Sequence, residues 1–378
     1  MSNKTKIQYK FPFKHLVFEG GGARIVGFTR IPVILENYGI LKQITKVAGT
    51  SAGAIMATLI AIGVNPLDIE RLIRTIKFTD FIDSNWGFIR NSYRFLKNFG
   101  LYKGDIFYDW LGDIIADHIG YKDATFIDLY DFNKMELVIT GTCLNTFSTE
   151  YFSYKTTPDM PIRLAVRISI SIPLFFEAVK YNNKIYTDGG VIANFPIWIF
   201  DSDDYNSRYS PVFKDSFENY QTIGFKLVSK CYFDDQLHGF NASLDDSDES
   251  INQTNSDKNL NQTNFDLGNN IDNISNIATY IKTLIQVLLF QIENLSIRTG
   301  YWNRTVVINT LNLKSTQFDI PHDLMDKIID NGEMAITNYI ESFMMVYPQI
   351  NSVVFKNNNM QQLLKKPAKT STSPDLIG

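Results

Sequence analysis

The apolar pattern changes period several times within the first eighty residues. His15-Leu16-Val17-Phe18 is a short run of strand character that breaks into Gly20-Gly21-Gly22. Ile31, Ile34, Leu35 and Tyr38 then recur at helical spacing, and Gly39 marks a stop. A second strand is predicted over Ile44–Ala48, a sharp turn at Ser51, and a helix over Ala52–Ile62. Asn65-Pro66 opens a further helix, because asparagine caps and proline suits the first helical position. Its apolar face is Ile69, Leu72, Ile73 and Ile76. The order β-α-β-α-α is an α/β beginning.

Further on, the pattern is less regular. Residues 78–110 are crowded with aromatics (Phe81, Trp86, Phe95, Phe107 and Trp110 among them), interleaved with Arg90, Arg94 and Lys97. Core packing is the expected role, and an interfacial lid the alternative. MELVITGTCL, residues 135–144, predicts a central strand, and Lys184–Thr187 a short one. Residues 241–275 are polar, acidic and poor in apolar positions, which predicts a disordered insertion. Ile277, Ile281, Leu284, Ile285, Leu288, Ile292 and Leu295 restore helical spacing, with Lys282 and Glu293 too polar for a membrane span. A strand over Thr305–Leu313, a helix from Pro321 to Phe343 and a loose tail complete the reading. The expected organisation is a catalytic core at 13–200, a continuation of the same domain at 201–345 that carries the insertion, and a tail at 346–378.

Composition narrows the class. The chain has 378 residues, 44% hydrophobic and 20% charged, with a net charge of -4. That suits a globular protein and gives no basic footprint for nucleic acid. Two cysteines, Cys143 and Cys231, match no metal spacing, which predicts a reducing compartment. MSNKTKIQYKFPFK lacks the apolar core of a secretory signal. The expectation is an intracellular protein with transient membrane contact.

Three motifs carry chemistry. Gly49-Thr50-Ser51-Ala52-Gly53 fits G-x-S-x-G between a strand and a helix, the setting of a strained, exposed nucleophile. Glu19-Gly20-Gly21-Gly22-Ala23-Arg24 offers backbone amides with no side chains in the way, suited to an oxyanion. It is a poor dinucleotide loop: Ile25 stands where the last glycine would be, and the positions of the acidic partner hold Gln43 and Thr45. The third motif is Asp188-Gly189-Gly190. A serine needs a base, and the four histidines sit poorly. His15 starts a strand roughly 16 Å from the glycines. His118 closes a helix, His238 borders the insertion and His322 precedes a helix. A partly buried carboxylate can take the proton instead.

These three motifs, in this order, resemble the patatin-like phospholipases. Ser169-Ile170-Ser171-Ile172-Pro173-Leu174-Phe175-Phe176 and Gly100-Leu101-Tyr102-Lys103-Gly104-Asp105 are also similar to that family, and the likeness is strongest over residues 13–200. The resemblance implies a three-layer α/β/α sandwich with a central, mostly parallel sheet. It implies a lipid acyl hydrolase of phospholipase A type, with a Ser51–Asp188 dyad and neither metal nor cofactor. On that reading Gly20, Gly21, Gly22 and Ala52 supply oxyanion amides. Gly49, Gly53, Gly189 and Gly190 permit close approach, and Arg24 either steers a lipid phosphate or braces the loop. The partner is a phospholipid or other acyl lipid at a membrane surface. A neutral-lipid lipase, an acyltransferase with the same dyad, a lipid-binding relic and a histidine-dependent esterase are the alternatives.

Overall fold

The computed structural model describes residues 9–76, 78–81, 100–202, 221–229 and 301–346, with positions 283, 284 and 287. The aromatic stretch 82–99, the acidic insertion 241–275, most of the helix expected at 277–295, the tail after 346, Cys231 and His238 lie outside the described residues. The chain divides into two compact units, Pro12–Tyr339 and the termini Met1–Phe11 with Ile340–Gly378. In the second unit the ring of Phe11 meets Tyr9 and Phe343, each at 6.3 Å between centroids.

The strands are β1 (His15–Phe18), β2 (Lys46–Gly49), β3 (Gly100–Tyr102), β4 (Glu136–Cys143), β5 (Ser148–Phe152), β6 (Leu174–Phe176), β7 (Val179–Tyr181), β8 (Lys184–Asp188), β9 (Thr222–Val228) and β10 (Thr305–Asn309). The helices are α1 (Ile31–Asn37), α2 (Ala52–Ala61), α3 (Pro66–Thr75), α4 (Asp105–Ile119), α5 (Phe126–Asn133), α6 (Ile162–Ser169) and α7 (His322–Val346). Strands β10, β9, β1, β2 and β4 lie side by side in that order, all parallel. Helices pack on this sheet, which gives the α/β/α sandwich. β3 and β6 form a separate two-stranded pair.

β4 sets the geometry of the site. Its eight residues are all buried, the polar Glu136, Thr140 and Thr142 included. Ile139 pairs with Gly49 of β2 and with Phe152 of β5, so those two strands occupy opposite edges. Gly141–Cys143 pair with β5 and also with β8, running antiparallel. β2 and β8 therefore share one edge of β4 in succession. Where β2 ends opposite Ile139, β8 arrives with Asp188 opposite Gly141.

Local chemistry explains the other elements. Asn65 Oδ1 accepts from the Leu67 amide at 3.0 Å and caps α3, whose Ile69 and Ile73 face the core. Thr125 and Asp128 form a reciprocal capping box on α5. α2 shows no polar stripe because every residue of it is buried, and it runs along β1, β2 and β4. Val17, Ala48 and Val138 stand in register across β1, β2 and β4, packed against Phe195, Ile197, Ile199 and Phe200. Phe18 stacks on Phe225 at 4.8 Å and meets Phe28 edge-on at 5.3 Å.

Some boundaries differ from the sequence reading. β10 stops at Asn309, not Leu313, because the Asn309 side chain accepts from the Leu311 amide at 2.8 Å and Leu311 turns to φ 55°. Ile44 closes a turn rather than starting β2. Within the aromatic stretch, Phe81, Phe107 and Trp110 pack on one another at 5.3–5.5 Å, so this part is core.

Candidate active site

β2 delivers the chain to Ser51, which sits at φ 51°, ψ -122° before the first turn of α2. That is a strained conformation for a residue with a side chain. It is held from three sides. A Cβ at Gly49 would overlap the Gly53 carbonyl, so only glycine lets the strand close this tightly on the helix. The Ser51 amide donates to Ser169 Oγ at 2.8 Å, at the end of α6. Thr50 Oγ1 donates to the Ala193 carbonyl at 3.0 Å, which leaves it to accept from Thr140 Oγ1 at 2.7 Å.

Ser51 Oγ donates to Asp188 Oδ2 at 2.6 Å, across 137 residues of sequence. The second carboxylate oxygen of Asp188 accepts from the Gly190 amide at 2.6 Å, within the tight turn Gly189–Val191. The Asp188 amide donates to the Ser171 carbonyl at 2.9 Å, which fixes the end of β8. Burial pushes the Asp188 carboxyl up to about 7, against the pull of the Ser51 hydroxyl and the Gly190 amide.

The glycine loop is anchored from beneath. Glu19 is fully buried and pairs with Lys226 Nζ of β9. Glu19 Oε2 also accepts from the Leu227 amide at 2.7 Å. Asn194 ties this loop to the Asp188 turn. Its carbonyl accepts from the Gly20 amide at 3.0 Å, and its Nδ2 donates to the Gly20 carbonyl at 3.2 Å and to Glu19 Oε1 at 3.4 Å. The Gly20 amide is thus already engaged. The amides of Gly21, Gly22 and Ala52 have no acceptor among the described residues. Gly22 is at φ 54°, which turns the loop into a 3₁₀ helix over Gly22–Phe28. Arg24 is buried, and its Nε donates to the Gly21 carbonyl at 3.4 Å, a bracing contact on the loop itself.

The three described histidines lie elsewhere. His15 is buried beside Thr222 Oγ1 at 3.2 Å, at the opposite end of β1 from the glycines. Burial, with Lys46, Lys14 and Arg304 nearby, lowers its pKa to about 3. His118 Nδ1 is 2.9 Å from the Ile114 carbonyl of its own helix, and His322 opens α7. No group of His, Cys, Asp and Glu among the described residues could hold a metal, and no described helix is long and apolar enough to cross a membrane.

Residues 16–201 match the family model for patatin-like phospholipase. These residues, just under half of the chain, form a patatin-like phospholipase domain. The patatin-like segment contains both Ser51 and Asp188. Two curated relatives are similar over this part. The uncharacterized protein YqhO of Bacillus subtilis (strain 168) is 34% identical over 198 residues, 49% of this chain and 65% of that protein. The probable lipid hydrolase 463L of Invertebrate iridescent virus 6 is 28% identical over 193 residues, 49% of this chain and 62% of that protein. The chain thus spans just under two thirds of each of these two relatives. The crystal structure of VipD from Legionella pneumophila aligns with a TM-score of 0.55 over 88% of this chain and 68% of VipD, at 17% identity, a likeness of fold.

Sequence reasoning passed over Ser169, Thr140, Asn194 and the Glu19–Lys226 pair as parts of the site. One signal was available. Glu19 ends an apolar strand, and Lys226 is the only charge in TIGFKLV. Two opposite charges in buried strands call for each other.

Proposed function

We propose that this protein is a serine lipid acyl hydrolase of phospholipase A type that uses a Ser51–Asp188 dyad. The observation that carries the reading is the 2.6 Å hydrogen bond from the Ser51 hydroxyl to a buried carboxylate. The match of residues 16–201 to the patatin-like phospholipase model supports lipid as the substrate class.

Asp188 withdraws the Ser51 proton as Oγ attacks the acyl carbonyl carbon. A carboxyl near 7 is a far better proton acceptor for an alcohol than one in the ordinary range. The oxygen that gains charge is received by the Gly21 and Gly22 amides, with Ala52 at the N-terminus of α2. One such donor is worth about 3–4 kcal/mol of barrier, and the helix end favours the same charge. The intermediate collapses, the alcohol leaves with the proton held by Asp188, and Ser51 carries the acyl group. Water then attacks the ester, Asp188 takes its proton, and the fatty acid departs as the proton returns to Ser51.

The test is Ser51→Ala, assayed on fluorogenic phospholipid and triglyceride vesicles and on a short water-soluble ester. The variant should fold normally and lose all but a few per cent of turnover. It should also lose labelling by a fluorophosphonate. Retained turnover or labelling elsewhere in the chain would overturn the assignment.

A further inference from the structure

The shared edge of β4 has a second effect. β4 does not stop at the rim where Ser51 and Asp188 meet. It continues past Gly141, with β5 on one side and β8 on the other, and turns at Leu144–Phe147. Three residues of strand carry this tip about 10 Å beyond the level of Asp188. The β7–β8 turn, Asn182-Asn183, points the same way, because Cys143 pairs with Tyr186 and the Leu144 amide donates to the Ile185 carbonyl at 2.9 Å.

The tip is apolar and exposed. Phe147 is 89% exposed and Leu144 45% exposed. Phe147 also stands at φ 51°, a conformation that an aromatic residue adopts only at a cost. Folding gains nothing from a bare aromatic ring in a strained turn. On the rim below, Ile192 is 43% exposed in the turn that follows Asp188-Gly189-Gly190. The charge beside the tip is positive. Lys180 is exposed and has no acidic partner among the described residues, and Lys184 pairs with Glu150 at 2.7 Å. Leu144 to Thr149 contain no charge.

We infer that the Leu144–Phe147 tip, with Ile192 on the rim and Lys180 and Lys184 at its side, is the surface on which the protein docks to an anionic lipid bilayer. The choice of lipid rests on the function proposed above. Two apolar side chains on a convex, uncharged turn are shaped to enter an acyl boundary, and lysines beside them favour anionic headgroups. The same approach would bring the mouth of the site to the bilayer.

Binding is separated from catalysis in the full chain carrying Ser51→Ala, sedimented with vesicles of phosphatidylcholine alone and with phosphatidylglycerol added. Sedimentation should be stronger with phosphatidylglycerol. Adding Leu144→Ser and Phe147→Ser should weaken it at least about tenfold, the scale of burying one large apolar side chain, whereas Phe147→Trp should retain it. In the active protein the two serine changes should leave kcat/KM on a water-soluble short-chain ester within twofold and depress vesicle hydrolysis. Equal sedimentation with and without the serine changes would overturn the docking surface, as would a parent protein that ignores vesicles. Tip-dependent sedimentation by a protein that hydrolyses no ester would remove the catalytic reading and support the docking surface.

Discussion

Replacing Asp188 by asparagine should abolish turnover and stabilise the fold. Asparagine keeps the shape, keeps a carbonyl for the Gly190 amide, and turns its NH₂ toward Ser51 Oγ, which can accept. What it removes is a buried ionisable group. The Asp188 carboxyl rises from 3.8 to about 7 on folding. A carboxyl raised in this way costs nothing below its unfolded value, where both states are protonated. The cost grows as pH climbs and levels off above the folded value. The full difference corresponds to about 4 kcal/mol, and at pH 5 only about 1.5 kcal/mol of it is present. Urea unfolding of both proteins at pH 5, 6, 7 and 8 reads this directly. The asparagine variant should gain stability over the parent as pH rises from 5 to 7, by about 2 kcal/mol, with little change beyond. Turnover should fall at least about hundredfold, the usual loss of a general base. A variant whose advantage is flat with pH, or negative at pH 8, would show that burial does not hold this carboxyl up.

The remaining expectations test the surroundings. In the parent, kcat/KM on a soluble ester should rise with pH through an apparent pKa near 7, since the proposed base Asp188 would have to be ionised to act; an acid limb near 4 would contradict the burial argument. Asn194→Ala removes two side-chain hydrogen bonds to the glycine loop but leaves the Gly20 amide bonded to the residue 194 carbonyl. It should lower kcat about tenfold on the scale of one misplaced oxyanion donor, with KM nearly unchanged and a stability loss of about 1 kcal/mol; a change confined to KM would refute the positioning role. Lys226→Met strands Glu19 in the core and should cost about 3–5 kcal/mol, most of which a second change, Glu19→Gln, should restore in thermal unfolding.

What was legible in the sequence follows from what local patterns can carry. β1, α1, β2, α2 and α3 announce themselves because glycine, proline and asparagine punctuate runs of clear period. β3, β6 and β7 are three residues each, too short for a periodicity to mark them, and β3 and β6 pair only with each other, far apart in the chain. The sheet order places β9 beside β1, more than two hundred residues away, which no local signal encodes. Ser51, the glycine loop and Asp188 were readable as motifs, because strain and close approach demand particular small residues at fixed spacing. Their supports were not: Ser169, Thr140 and Asn194 are ordinary polar residues until the fold brings them near. β4 shows the boundary most clearly. Its residue pattern identified a central strand, but a strand has two edges, and a local pattern says nothing about what each edge receives. Half of one edge holds β2 and the other half holds β8. That division sets Asp188 just past the end of β2, within reach of Ser51. A β4 shortened by two residues at its C-terminal end would keep its place in the parallel sheet and lose most of its pairing with β8. Both carriers of the proposed chemistry would still be present in the sequence, with nothing to hold them together.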